Sequence, residues 1–149
     1  MSLFIRFVAV GFLLFLGGCV REAGPAPVSG PRESAIRESW GRFQRALRKP
    51  DVSEIASMTR FPLENNVGQF DDFKGLGSRA TFERYFPQIF WDGVLPVLMN
   101  YQPTSAELEA GEWSVSYSER TGDTESGVIY GFKCSPDGKV WLTSVFFAG

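Results

Sequence analysis

The hydrophobic period of this chain changes in its last third, and that change limits the folds open to it. Between residues 32 and 99, large apolar side chains recur three or four positions apart; from Trp113 onward they alternate with small polar ones. The first spacing gathers side chains on one stripe of a helix, and the second on one face of a strand. Helices first, two short strands, a third helix and then a long-stranded meander, without regular alternation, predict an α+β domain. Its N-terminal helices pack on a curved, mainly antiparallel sheet.

Ile36, Trp40, Phe43 and Leu47 mark the first helix, over 32–49, with Pro31 suited to its first position and Pro50 as its stop. Arg42, Arg45 and Lys49 point away from that stripe. They read as a solvated face with cations near the helix C-terminus, or as a face attracted to anionic headgroups or glycans. Asp51 and Glu54 have the spacing of a capping box, opening a short helix to about Met58. Thr59 to Leu63 is extended, and Pro62 restricts it to an edge or irregular strand. Asn65, Asn66 and Gly68 predict a turn, and Gln69 to Lys74 a second short strand. Ser78 caps a helix through Phe82, Phe86, Ile89 and Phe90, in which Pro87 predicts a break or kink near residue 86. Residues 92–99 read as a short buried helical turn with Pro96 early in it.

Three strands follow, over 113–118, 128–134 and 140–147, with polar turns at 121–127 and 135–138. They form an antiparallel meander. On the last strand, strict alternation puts Val140, Leu142, Ser144 and Phe146 on one face and Trp141, Thr143, Val145 and Phe147 on the other. Both faces are then largely apolar, and both require cover.

The N-terminus carries a separate message. Arg6 precedes Phe7 to Leu16, an uncharged apolar run. It is shorter than the about 20 residues a membrane span needs, and it fits the apolar region of an export signal. Leu16-Gly17-Gly18-Cys19 follows, and resembles the lipobox of bacterial lipoproteins. That resemblance implies cleavage before Cys19 and a diacylglyceryl group on its sulfur, so that the lipid joins the chain to a membrane. The organisation expected is a signal peptide over 1–18, a lipidated cysteine and flexible tether over 19–33, and one α+β domain over 34–149. The twelve residues Val20 to Pro31 are rich in Pro, Gly and Ala, and extend to about 40 Å at most. The location implied is exported and anchored to a bacterial membrane. Val20 replaces the aspartate that resembles an inner-membrane retention signal, which favours an outer membrane facing the periplasm in a Gram-negative host. Cys134, the other cysteine, is then left without a disulfide partner in the chain and reads as a small buried strand residue.

A second resemblance spans the domain. Trp40, Phe43 and Leu47, then Ile55 with Phe61-Pro62-Leu63, then Phe82, Phe86 and Phe90 are its first half. Gly127-Val128-Ile129-Tyr130, Trp141-Leu142 and Ala148-Gly149 complete it. Together they resemble the nuclear transport factor 2-like superfamily, the cystatin-like cone, over roughly 34–149. The resemblance implies a pocket between helices and sheet. Its members include isomerases, dehydratases and non-catalytic binding or assembly modules, so the fold does not choose among them.

Composition removes several chemistries. With no histidine in 149 residues, Ser-His, Cys-His and His-metal mechanisms are excluded. No metal, cofactor or catalytic residue is expected; Asp71-Asp72 lacks a third carboxylate, and Asp137-Gly138 reads as a turn. Fifteen Lys and Arg against seventeen Asp and Glu argue against a nucleic-acid partner. The pocket candidates are Tyr117 and Tyr130 on neighbouring strands, with Arg60 at the mouth. The leading expectation is a lipid-anchored, non-catalytic module for a small apolar ligand, a peptide or a protein partner. The alternative is a small envelope isomerase or hydratase with a buried carboxylate in the cone pocket. The doubly apolar last strand adds a homodimer through the outer sheet face.

Overall fold

Helix α1 (Pro31–Arg48) begins on a proline, whose missing N–H lies where no helical partner exists. This is a computed structural model, and it describes residues 30–66 and 76–149. The stripe Ile36, Trp40, Phe43 and Leu47 is buried, as its spacing requires. α2 (Val52–Ser57) opens at Asp51, whose carboxylate accepts the Glu54 backbone N–H at 2.9 Å. The Glu54 side chain does not turn back to close a capping box; it accepts from Arg42 of α1. β1 (Thr59–Asn65) follows, with Pro62 on an edge strand where a missing donor is tolerated. The turn expected at Gly68 and the strand expected at 69–74 lie outside the described residues.

α3 (Arg79–Ile89) is capped by Ser78 and runs through Pro87. The break expected near residue 86 comes three residues later, after Ile89. In the last turn a proline removes only one helical hydrogen bond, and the buried Phe86, Ile89 and Phe90 hold the segment against the core. α4 (Leu95–Asn100) has Pro96 in its first turn, as expected. α5 (Ser105–Ala110) was not expected. Thr104 and Glu107 form a complete capping box, with the Thr104 N–H donating to the Glu107 carboxylate at 2.7 Å. Gly111, at φ 72°, closes it.

The remaining strands are β2 (Glu112–Thr121), β3 (Thr124–Cys134) and β4 (Val140–Ala148). The first hairpin is tighter than expected: Thr121 pairs with Thr124, and Gly122 supplies the positive φ of 64°. The turn at 135–138 forms as expected, with Gly138 at φ 84° donating its N–H to the Ser135 carbonyl at 2.9 Å. The sheet order is β1-β4-β3-β2. β2, β3 and β4 are antiparallel, and β1 lies parallel to β4. The class is α+β, with a mixed sheet.

One irregularity rearranges the last strand. Phe132 pairs with Leu142, but Gly131 pairs with Ser144, which leaves Thr143 as an extra residue. A period of two reverses its faces across such a bulge. Val140, Leu142 and Val145 are buried toward the helices with Phe147 packed beside them, whereas Trp141, Ser144 and Phe146 belong to the outer face. This corrects the alternation expected from sequence, which grouped Ser144 and Phe146 with Val140 and Leu142. The bulge moves the fully buried aliphatic residues onto one side.

The core is aromatic. Trp40, Phe43 and Trp113 surround Phe132 with ring centroids 4.9, 5.3 and 5.8 Å away. Phe90 joins a second group, 4.9 Å from Phe86 and 5.3 Å from Tyr130. Offset and edge-on rings at these distances add about 0.5–1.5 kcal/mol per pair beyond area burial.

Candidate functional site

Between helices and sheet, where a cone pocket is expected, these rings pack against one another. The buried polar side chains among the described residues are Gln44 and Thr59, and no carboxylate is buried with them. Both are satisfied. The Gln44 amide donates to the carbonyls of Leu98, Met99 and Tyr101 at 3.0, 3.0 and 2.9 Å. Thr59 donates to the Ile55 carbonyl at 2.8 Å.

Tyr130 and Tyr117 share a sheet face, since Val115 lies opposite Tyr130 and Tyr117 opposite Val128. Their hydroxyls are committed separately. Tyr130 is fully buried and donates to the Ile89 carbonyl, and burial pushes its pKa well above the ordinary phenol value. Tyr117 is partly exposed and donates to Glu119 at 2.9 Å, a bond that raises its pKa. Arg60 is exposed, with its guanidinium 5.6 Å from the Trp141 ring centroid. The three residues named from sequence thus have different partners among the described residues: Glu119 for Tyr117, the Ile89 carbonyl for Tyr130 and the Trp141 ring for Arg60. Cys134 is half-buried, and burial raises its thiol pKa against the opposing charge of Arg32. Cys19 and Asp71-Asp72 lie outside the described residues.

The outer face carries a different arrangement. Glu64, Ser144, Gly131 and Ser114 line up across all four strands. Ser144 Oγ occupies the place a Gly131 side chain would take, which keeps this row low. On one side stand Trp141, Lys133 and Glu112; on the other stand Phe146, Ile129 and Ser116. The row floors an open trough of about 370 Å³, with Glu64, Glu107 and Glu112 among its lining residues. Ile129 is 43% exposed, the large hydrophobic side chain left most open among the described residues. Lys139 Nζ sits 3.8 Å from the Trp141 ring centroid. The indole N–H groups of Trp113 and Trp141 are buried without a partner among the described residues. The sequence points to the outer sheet face as an interface but not to this row, because strand register and the bulge at Thr143 create it, and neither is a local signal.

Among the described residues no cluster of metal-ligating side chains occurs, and no helix is long and apolar enough to cross a membrane. No family model, curated protein or solved structure matches this chain.

Proposed function

We propose that this chain is a lipid-anchored cell-envelope protein whose single nuclear transport factor 2-like domain binds or assembles rather than catalyses. The outer sheet face is its working surface. The observation that carries this reading is the outer sheet face, where Phe146 and the exposed Ile129 flank the small-residue row on one side and Trp141 on the other, away from the aromatic core. An exposed large apolar side chain on a sheet face that no helix among the described residues covers suits a contact site. The lipobox resemblance at Leu16-Gly17-Gly18-Cys19 supports export and acylation at Cys19, with the periplasmic face of an outer membrane favoured in a Gram-negative host.

Two measurements test it. Intact mass of the native protein is expected to show a chain beginning at acylated Cys19; an unmodified Met1 overturns the anchoring. Light scattering of the purified protein is expected to show a dimer formed through the outer face, which must bury about 1,000 Å² or more to be specific. Ile129→Glu is expected to return it to monomer. A monomer in both cases removes self-association as the assembly mode.

A further inference from the structure

Charge in this molecule is separated by element. Residues 31–49, which are α1 and its last flanking residue, hold six cations and two acids; the other described residues hold six cations and twelve acids. The acids of α1 are Glu33 and Glu38, toward its N-terminal end, and Glu33 already accepts from Arg37 at 2.9 Å. The C-terminal half carries Arg42, Arg45, Arg48 and Lys49, all exposed. At 100° per residue, Arg42, Arg45 and Lys49 fall within about 60° of one another, opposite the buried stripe. The β3–β4 turn meets α1 around a cavity of about 230 Å³ lined by Glu38, Arg42, Arg45, Asp137 and Lys139, the Lys139 ammonium itself lying over Trp141. Acids nearby are partly engaged: Glu54 accepts from Arg42, and Asp137 from Ser135. Arg45, Arg48 and Lys49 make no ion pair among the described residues. At the far end of the sheet, the β2–β3 hairpin carries Glu119, Asp123 and Glu125 with Arg120.

We infer that the polar side of α1 docks on an anionic lipid bilayer and sets the orientation of the domain. The inference rests on the anchoring proposed above and adds a second contact to it. One acyl attachment holds a domain near a surface without orienting it, whereas several cations on one helix side give a direction. Each Lys or Arg near an anionic surface contributes about fivefold in partition. Lengths permit it: α1 is about 27 Å long, and a chain of eleven residues, the number from Val20 to Gly30, spans at most about 40 Å. The acidic hairpin is then carried away from the like-charged surface. Because α1 packs on the inner side of the sheet, docking leaves the outer trough open to a partner.

The protein as purified from its native membrane is incorporated into vesicles of phosphatidylcholine, alone or mixed with phosphatidylglycerol. Amine labelling is then read at Lys49 and Lys133 by mass spectrometry. The expected result is that Lys49 labels about tenfold more slowly on the anionic vesicles, the scale of a few such cations. Lys133, on the outer face, stays unchanged. High salt removes the difference. Arg45→Glu with Arg48→Glu restores Lys49 labelling, and Arg120→Glu on the distant hairpin does not. Equal Lys49 labelling on both vesicle types overturns the inference. So does loss of protection on adding inorganic phosphate at constant ionic strength, which assigns the face to a free anion. Failure of the anchor is separately visible: a chain without acyl groups does not float with phosphatidylcholine vesicles, yet still floats with anionic ones if the face docks.

Discussion

At the scale of single residues, two glycines with similar backbone angles are expected to behave differently. Gly122 (φ 64°) has open space around its absent side chain; Gly138 (φ 84°) would place a methyl 2.6 Å from Ala35 Cβ and 3.1 Å from the Arg32 carbonyl oxygen. Gly122→Ala is expected to cost about 1 kcal/mol from the left-handed backbone alone. Gly138→Ala adds overpacking against α1 and is expected to cost about 2–4 kcal/mol, read as a shift in the urea midpoint with unchanged slope. The tyrosines set the alkaline limit. Burial and the Glu107 carboxylate push Tyr101 up to about 12, and burial carries Tyr130 further in the same direction. Unfolded phenols lose their protons near pH 10 while the folded ones keep theirs, so above that pH the unfolded state binds fewer protons. The stability from these groups is therefore full below pH 10 and declines as pH rises through the folded values. Tyr130→Phe is expected to lower stability by about 1–2 kcal/mol at neutral pH and to make that decline shallower, measured by urea melts across pH 9–12.

At the scale of elements, α4 is held to α1 by side chains donating to its terminal carbonyls. Gln44 reaches three of them, and Trp40 Nε1 donates to the Tyr101 carbonyl at 2.9 Å. Helix C-termini leave such carbonyls without partners, and burying them unpaired is costly. Gln44→Met keeps the volume and removes the donors. It is expected to destabilise by about 2 kcal/mol and to speed hydrogen exchange across 95–101. Its position was legible in part: Gln44 follows Phe43 and lies four residues after Trp40, so a polar group sits on the buried side. What it bonds to was not, because its partners are 54 to 57 residues away. The opposite holds for α5. Thr104 and Glu107 are a local signature that the sequence displays, and Thr104→Ala is expected to cost about 1 kcal/mol by thermal or urea melting.

At the scale of the whole molecule, two surfaces differ in chemistry: the α1 side is cationic, and the outer sheet face sets Ile129, Phe146 and Trp141 around a small-residue row with Glu64, Glu112 and Lys133 beside it. They ought to separate in experiment. Ile129→Glu is expected to alter self-association and to shift the urea midpoint by no more than about 1 kcal/mol, because the residue is already 43% open to water. Charge reversal on α1 is expected to leave association intact and change only the response to anionic vesicles. Salt distinguishes them again: screening acts on exposed charges over about 8 Å at physiological ionic strength and has little purchase on apolar contact.

The features the sequence determined by itself are those set within a few residues. They are the stripe of α1, the caps at Asp51 and Ser78, the proline starts at Pro31 and Pro96, and the turn closed by Gly138. Steric limits on φ and hydrogen bonds between near neighbours suffice for each. The tertiary structure alone decided the parallel pairing of β1 with β4, the extra residue at Thr143, and hence which aromatic residues face outward. Strand alternation is a relative code. It says which residues share a face only while the register continues, and register is settled by partners distant in the chain competing to bury the same side of the sheet.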